Sequence, residues 1–354
     1  MSKSKENRQL KIDSSIDDVA KLAGVSISTV SRVLNRKVPV SKELKNKVDQ
    51  AIRELEYQPS QAARMLASKK SNTIGIIVPD LSYAYYSSMI SSIEYEAGLH
   101  DYHIVVCSIQ EDFQKEIKYI NLFKNMYISG LILMHEKINK TSKTILDQCN
   151  FPIVQASVKI KNFNSLSINI DDYKASFTAV KYLINKGHKD IAMIGGDSRD
   201  HTSGYQRKRG YLDALSSSNI KANNNFYKVG DFSYKSGFSQ AKELLSRKER
   251  PTAIFIVSDT MAAGALNAIR ESGFKVPEDI SLIGFDDIPL AQMVRPALST
   301  INQPAALIGR LAVLSIIKKS NSFVIDGKEY FKKDNCIEVP FTLIERESVS
   351  KINC

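Results

Sequence analysis

The chain has 354 residues, 43% of them hydrophobic and 25% charged, a balance that suits two or three globular domains and excludes a disordered or fibrous protein. No apolar run approaches the roughly 20 residues of a membrane span. The polar start MSKSKENRQLKIDSS lacks the apolar stretch of a secretion signal, so a cytoplasmic protein with no membrane partner is expected.

Four scattered cysteines (Cys107, Cys149, Cys336, Cys354) show no CxxC spacing, which argues for reduced thiols and against a zinc site or a disulfide framework. The net charge is +11. Residues 1–70 hold 15 Lys and Arg against 8 Asp and Glu, and the other 284 hold 34 against 30. Most of the excess therefore sits in one fifth of the chain, which points to nucleic acid as the partner of that part.

Ser15-Ile16-Asp17-Asp18 is a capping-box pattern that opens the helix IDDVAKLA, with Ile16, Val19, Ala20 and Ala23 on one apolar face. Gly24 ends this helix, Val25 plugs the turn, and Ser26 can cap the next helix, ISTVSRVLN. There Val30, Val33 and Leu34 face inward, leaving Ile27, Ser28, Thr29, Ser31, Arg32 and Asn35 outside. Two short helices joined by a three-residue turn with Gly have the form of a helix-turn-helix, and the short, polar, positive outer face suits a DNA major groove.

Pro39 and Ser41 introduce a third helix, whose Leu44, Val48, Ile52 and Leu55 can close a small core. QPSQAARMLASKKSN (58–72) follows where a linker is expected. Its helix formers make a run too short to hold a helix alone, and Met65 and Leu66 give it an apolar tip.

From Thr73 the runs TIGIIVP, HIVVCS, GLILM and PIVQA alternate with helical segments, as do DIAMIGG, TAIFIV and ISLIGF further on. Repeated βαβ units predict parallel sheets with helices on both faces, here as two Rossmann-like subdomains that bind ligand at the carboxyl ends of their strands.

IDDVAKLAGVSISTVSRVLN followed by YQPSQAARMLA closely resembles the N-terminus of lactose-repressor (LacI/GalR) family transcription regulators, and the likeness runs over about residues 15–346. The resemblance implies an α/β protein with an N-terminal all-α helix-turn-helix domain (1–58), a hinge helix and linker (59–71), and a periplasmic-binding-protein-like effector-binding and dimerisation domain (72–346). Three crossings, near Asn169, Thr300 and Asp326, would divide that last domain into an N-subdomain (72–168 and 300–326) and a C-subdomain (169–299 and 327–346). The 13-residue N-terminal extension and the polar insert at 318–335 fall outside the family pattern.

Residue by residue, the resemblance implies that Ile27 and Ser28 set operator preference and that Arg32 reads a guanine edge. Thr29, Ser31 and Asn35 would position the helix on the DNA backbone, and Ser26, its cap, is also placed at the DNA interface. Ser60 would cap the hinge helix, and Leu66, packed beside Ala63, would wedge into a minor-groove base step. Tyr85, Tyr86, Arg207 and Asp286, with Ser157, Ser258 and Gln303, match effector-pocket positions. Arginine forks and carboxylates suit a polyhydroxylated ligand, a sugar or sugar phosphate. Asp287 is expected to brace its loop.

A homodimer on near-palindromic double-stranded DNA is implied. No cofactor, metal or catalysis is expected, since the chain has no G-x-S-x-G, P-loop, G-x-G-x-x-G or HExxH motif. MVRPALSTINQP (293–304) also resembles the catabolite-control branch of the family, whose corepressor is a serine-phosphorylated carrier protein, and that alternative stays open.

Overall fold

The computed structural model describes residues 14–35, 40–57, 71–318 and 320–352. The chain divides into two compact units, Met1–Lys70 and Ser71–Cys354. In the first unit lie α1 (Ile16–Ala23), α2 (Ile27–Asn35) and α3 (Lys42–Glu54).

Both halves of the capping box form: Ser15 Oγ accepts from Asp18 N at 3.2 Å, and the Asp18 carboxylate accepts from Ser15 N at 2.9 Å. Gly24, at φ 65, turns the chain out of α1 through the left-handed region. Ser26 Oγ accepts from Thr29 N at 3.2 Å, and Ser41 Oγ accepts from Leu44 N at 3.4 Å. Val19, Val30 and Val48 are fully buried and pack with Ala20, Val33, Ala51 and Tyr57, the last a core residue that the helical spacing did not single out.

The second unit is built on two six-stranded sheets. In the first sheet, β1 (Thr73–Val78), β2 (His103–Ser108), β3 (Gly130–Leu133), β4 (Ile153–Ala156) and β5 (Leu166–Asn169) run parallel in the order β2-β1-β3-β4-β5. In the second, β6 (Ile191–Gly195), β7 (Tyr227–Val229), β8 (Ala253–Ile256), β9 (Ser281–Asp286) and β10 (Ser299–Asn302) repeat that order as β7-β6-β8-β9-β10.

The helices in chain order are α4 (Ala84–Gly98), α5 (Phe113–Asn125), α6 (Lys140–Asp147), α7 (Asp172–Asn185), α8 (Arg207–Ser216), α9 (Tyr234–Leu245), α10 (Asp259–Glu271), α11 (Leu290–Met293) and α12 (Ala305–Ile317). A parallel strand covered on both faces reads as an unbroken apolar run, and β1 shows why. Ile74, Ile76 and Val78 join Met89 and Ile93 of α4 on one face, while Ile77 joins Phe123 of α5 and Leu146 of α6 on the other. In the second subdomain α9 and α10 pack backbone to backbone. A Cβ on Gly237 would come within 2.1 Å of Met261 O, and one on Gly264 within 2.1 Å of Tyr234 O.

Two crossings differ from the sequence expectation. Thr300 sits inside β10 opposite Gly284 of β9, so the chain leaves the second sheet only at Gln303–Pro304, before α12 packs on α4. Asp326 is no crossing. Asp326 and Gly327 (φ 50 and 76) form the two-residue turn of a hairpin, β11 (Ser322–Ile325) and β12 (Lys328–Phe331).

The chain stays with the first sheet through β13 (Cys336–Glu338), whose Ile337 pairs in parallel with Ile168 of β5. It then crosses to β14 (Thr342–Ile344), which is antiparallel to β10. Asp326-Gly327 marks a chain reversal, because the two four-residue strands beside it, SFVI and KEYF, pair with each other rather than with either large sheet.

The second subdomain also extends beyond 346. Ser348 is fully buried, its carbonyl accepting from Leu282 N at 2.8 Å and its hydroxyl donating to Leu282 O at 2.6 Å, and Ile352 N donates to Lys186 O at 2.9 Å.

Candidate effector cavity and nucleic-acid interface

On α2, Ser26, Ile27, Ser28 and Arg32 are exposed, while Thr29 and Ser31 are half-buried. Ile27, at the start of the helix, is 47% exposed and leaves about half of its apolar surface in water. The Ser26 hydroxyl lies 2.8 Å from Ser28 Oγ and 2.9 Å from Thr29 Oγ1, tying the first turn together. The side chain of Asn35, and all of Ser60, Ala63 and Leu66, lie outside the described residues.

In doubly wound sheets, ligands sit beyond the carboxyl ends of the strands, where the strand order reverses. Here those places are β1/β3 in the first sheet and β6/β8 in the second. The loops after these four strands line one cavity of about 1050 Å³, at the upper end of the range for ligand sites. Tyr85, Tyr86, Ser157, Arg207, Ser258, Asp286 and Gln303, seven residues scattered over 219 positions of sequence, all line it.

Several of these residues are bonded to one another. Tyr85 Oη and Ser157 Oγ are 2.8 Å apart, and Gln303 Nε2 donates to Asp286 Oδ1 at 2.6 Å. Tyr85 and Tyr86 meet edge to face at 5.7 Å, and burial raises both phenol pKa values, so both remain neutral donors. Arg207 is 4% exposed. Its Nε donates to Asp172 Oδ1 at 2.7 Å, its Nη1 to Val257 O at 2.9 Å, and its guanidinium lies 3.8 Å from the Phe285 ring centre.

Burial pushes the Asp286 carboxyl up to about 7, against the opposing pull of Arg207 and the Gln303 hydrogen bond. Asp286 and Asp287 have φ values of 108 and 59, two successive non-glycine residues in a conformation that side chains disfavour. Arg346 Nη2 donates to Asp287 Oδ1 at 2.6 Å and Asn302 Nδ2 to its Oδ2 at 3.0 Å, so Asp287 braces the loop that holds Asp286.

Other cavity residues lie outside the motif matches. Glu136, just beyond β3, reaches across the cleft to the second subdomain, accepting from Thr202 N at 2.8 Å and from Ser203 N at 3.2 Å. Tyr83 Oη donates to Asp231 O at 3.2 Å, and Lys159 N donates to Thr202 Oγ1 at 3.1 Å, so hydrogen bonds join the two sides of the cleft. Thr202 and Ser203 belong to a π-helical turn, His201–Gln206, that runs directly into α8.

Gly204 permits that turn, because a Cβ there would overlap Asp197 O at 1.7 Å. His135 is part of the cavity wall, and its Nε2 lies 3.2 Å from Oε1 of Glu116 behind it, with Ser142 Oγ donating to Glu116 Oε2 at 2.5 Å. Burial lowers His135 to about 4, so its ring stays neutral. The signal that could have found Glu136 was its place at the carboxyl end of a strand beside the reversal point.

Residues 15–60 match the model of the bacterial regulatory proteins of the lacI family, and residues 180–349 match the periplasmic binding protein-like domain. The chain is 35% identical over 313 residues to catabolite control protein A of Priestia megaterium, covering 88% of this chain and 94% of that one. Among solved structures, the lac repressor dimer bound to operator and the anti-inducer ONPF aligns with a TM-score of 0.82 at 28% identity, over 96% of this chain and 99% of that one.

The transcriptional regulator CelR in complex with cellobiose aligns at 0.69 and 26% identity, over 95% and 99%. The chain belongs to the lacI family: it is a DNA-binding transcriptional regulator with an effector-binding core.

Proposed function

We propose that the protein is a cytoplasmic homodimeric repressor of carbohydrate-utilisation genes, and that a sugar or sugar phosphate in the cavity of the second unit sets its affinity for a near-palindromic operator. The observation that carries this reading is the convergence of the seven pocket-type residues on one cavity at the strand-order reversal of both sheets. Its wall offers neutral hydroxyl and amide groups beside a carboxylate, which suits a polyhydroxylated ligand. The CelR complex, with its cellobiose, supports a sugar as the ligand class.

Ile27, Ser28 and Arg32 would read bases, with Ser26, Thr29, Ser31 and Asn35 on the backbone. Residues 59–71, with Ser60 as cap, Ala63 and Leu66, would form the ligand-controlled hinge in the minor groove. A ligand acts only through its different affinity for the two states.

A thermal-shift screen of sugars and sugar phosphates tests the reading, because a ligand that binds the folded state raises its stability by mass action. A screen without any stabilising member, or with stabilisation that survives Asp286→Ala, would remove its support. Leu66→Ala should weaken specific DNA binding and reduce DNA bending.

The 35% identity to catabolite control protein A favours one second reading, a global regulator with a serine-phosphorylated carrier protein as corepressor. A DNA-binding titration with that carrier decides it: no gain in affinity rules the corepressor out.

A further inference from the structure

The cavity contains one ready-made seat for an anion, and the protein fills it itself. The amides of Thr202 and Ser203 open a continuous helical run, His201–Ser216, and the unpaired N–H groups and dipole at such an end attract negative charge. Both amides donate to the carboxylate of Glu136, which also lies 3.4 Å from Ser203 Oγ. A ligand phosphate reaching this part of the wall would have to displace that carboxylate.

The remaining charge offers a phosphate no better place. Seven carboxylates and five cationic side chains line the cavity. Arg207 is held by Asp172, and Arg199 by Asp197. Lys137 stands between Glu111 at 3.3 Å and Asp200 at 3.7 Å. Lys159 and Lys161 lie on the exposed rim, where solvent screens them. The groups that converge deeper in the cavity, Tyr85 Oη, Ser157 Oγ and the Gln303 amide, are uncharged donors and acceptors.

We infer that Glu136 is a specificity-determining residue: by occupying the Thr202 and Ser203 amides across the cleft, it makes the cavity accept an uncharged polyhydroxylated ligand and reject the phosphorylated counterpart. The inference rests on the reading of this cavity as the effector site. Burial raises the pKa of Glu136, the hydrogen bonds from Thr202 and Ser203 offsetting it only in part, and those two amides are best satisfied by the two oxygens of the carboxylate.

The test is calorimetric titration of the full-length protein with matched probes: glucose, galactose, mannose, fructose, maltose and cellobiose, each beside its monophosphate. An uncharged member should bind at least ten times more tightly than its own phosphate. Glu136→Gln removes the charge while keeping an acceptor, and should narrow that ratio at least tenfold, about 1.4 kcal/mol. Glu136→Asp keeps the charge and should preserve the rejection. Thermal unfolding confirms that each variant folds.

A wild-type protein that binds a phosphorylated probe as tightly as, or more tightly than, its uncharged partner overturns the inference and leaves the effector cavity standing. An unchanged ratio in Glu136→Gln overturns the role of Glu136. Binding of no probe from either class overturns the sugar-cavity reading, and this inference with it.

Discussion

Replacing Asp286 by Asn tests whether the cavity holds its carboxylate at a cost to stability. The folded chain raises this pKa from an ordinary 3.8 to about 7, with burial as the largest cause. The folded state then binds the proton more tightly than the unfolded chain does. The associated stability is complete below about pH 4 and is lost as pH rises through 7.

Roughly three pKa units at 1.36 kcal/mol each set a ceiling of about 4 kcal/mol. The Asp286 side chain is only partly shielded from cavity water, which reduces the expected effect to about 2 kcal/mol. Asn can still accept from Gln303 Nε2, whose bond to Asp286 Oδ1 is 2.6 Å. Asp286→Asn should therefore be about 2 kcal/mol more stable than the parent at pH 8, and nearly equal to it at pH 4.5. Urea unfolding of both proteins across that range measures the difference. A difference that does not change with pH, or a variant less stable at pH 8, would refute the reasoning. The same variant should lose its thermal response to effector, as expected where a site is kept at the expense of stability.

Asp172→Ala strips the buried Arg207 of its carboxylate and should cost about 3–5 kcal/mol in urea unfolding, more than Asp172→Asn. Gly264→Ala drives a Cβ against Tyr234 O and should cost about 1–3 kcal/mol. Gly98→Ala, with nothing within 4 Å, should instead stabilise by about 0.5–1 kcal/mol by calorimetry. Ser15→Ala removes the α1 cap and should lower the stability of the first unit by about 1 kcal/mol, read by helical circular dichroism of the full chain.

The helix-turn-helix was legible because local chemistry dictates it: a capping box, a glycine at φ 65 and two apolar stripes need no distant partner. The seven strands read as apolar runs were legible for a similar reason, since buried parallel strands carry their burial in composition. Short strands such as β5, β13 and β14 exist only because a neighbouring strand pairs with them, and nothing in their sequences says which sheet they join. The misplaced third crossing followed from that.

In the cavity, side chains that match a recurrent pattern could be named from sequence. For Glu136 the only signal was its place just beyond β3, because its partners are backbone amides 66 and 67 residues away, and backbone donors leave no trace in residue identity.

The central claim is that the cavity of the second unit controls DNA binding by the first. Fluorescence anisotropy of the full-length protein on a selected operator duplex, titrated with the strongest stabilising ligand from the thermal screen, tests it directly. The account predicts a shift in operator Kd of roughly 5–150-fold on ligand saturation, abolished in Asp286→Ala. An operator affinity unmoved by a ligand that binds the protein, or a shift that persists in Asp286→Ala, would contradict it.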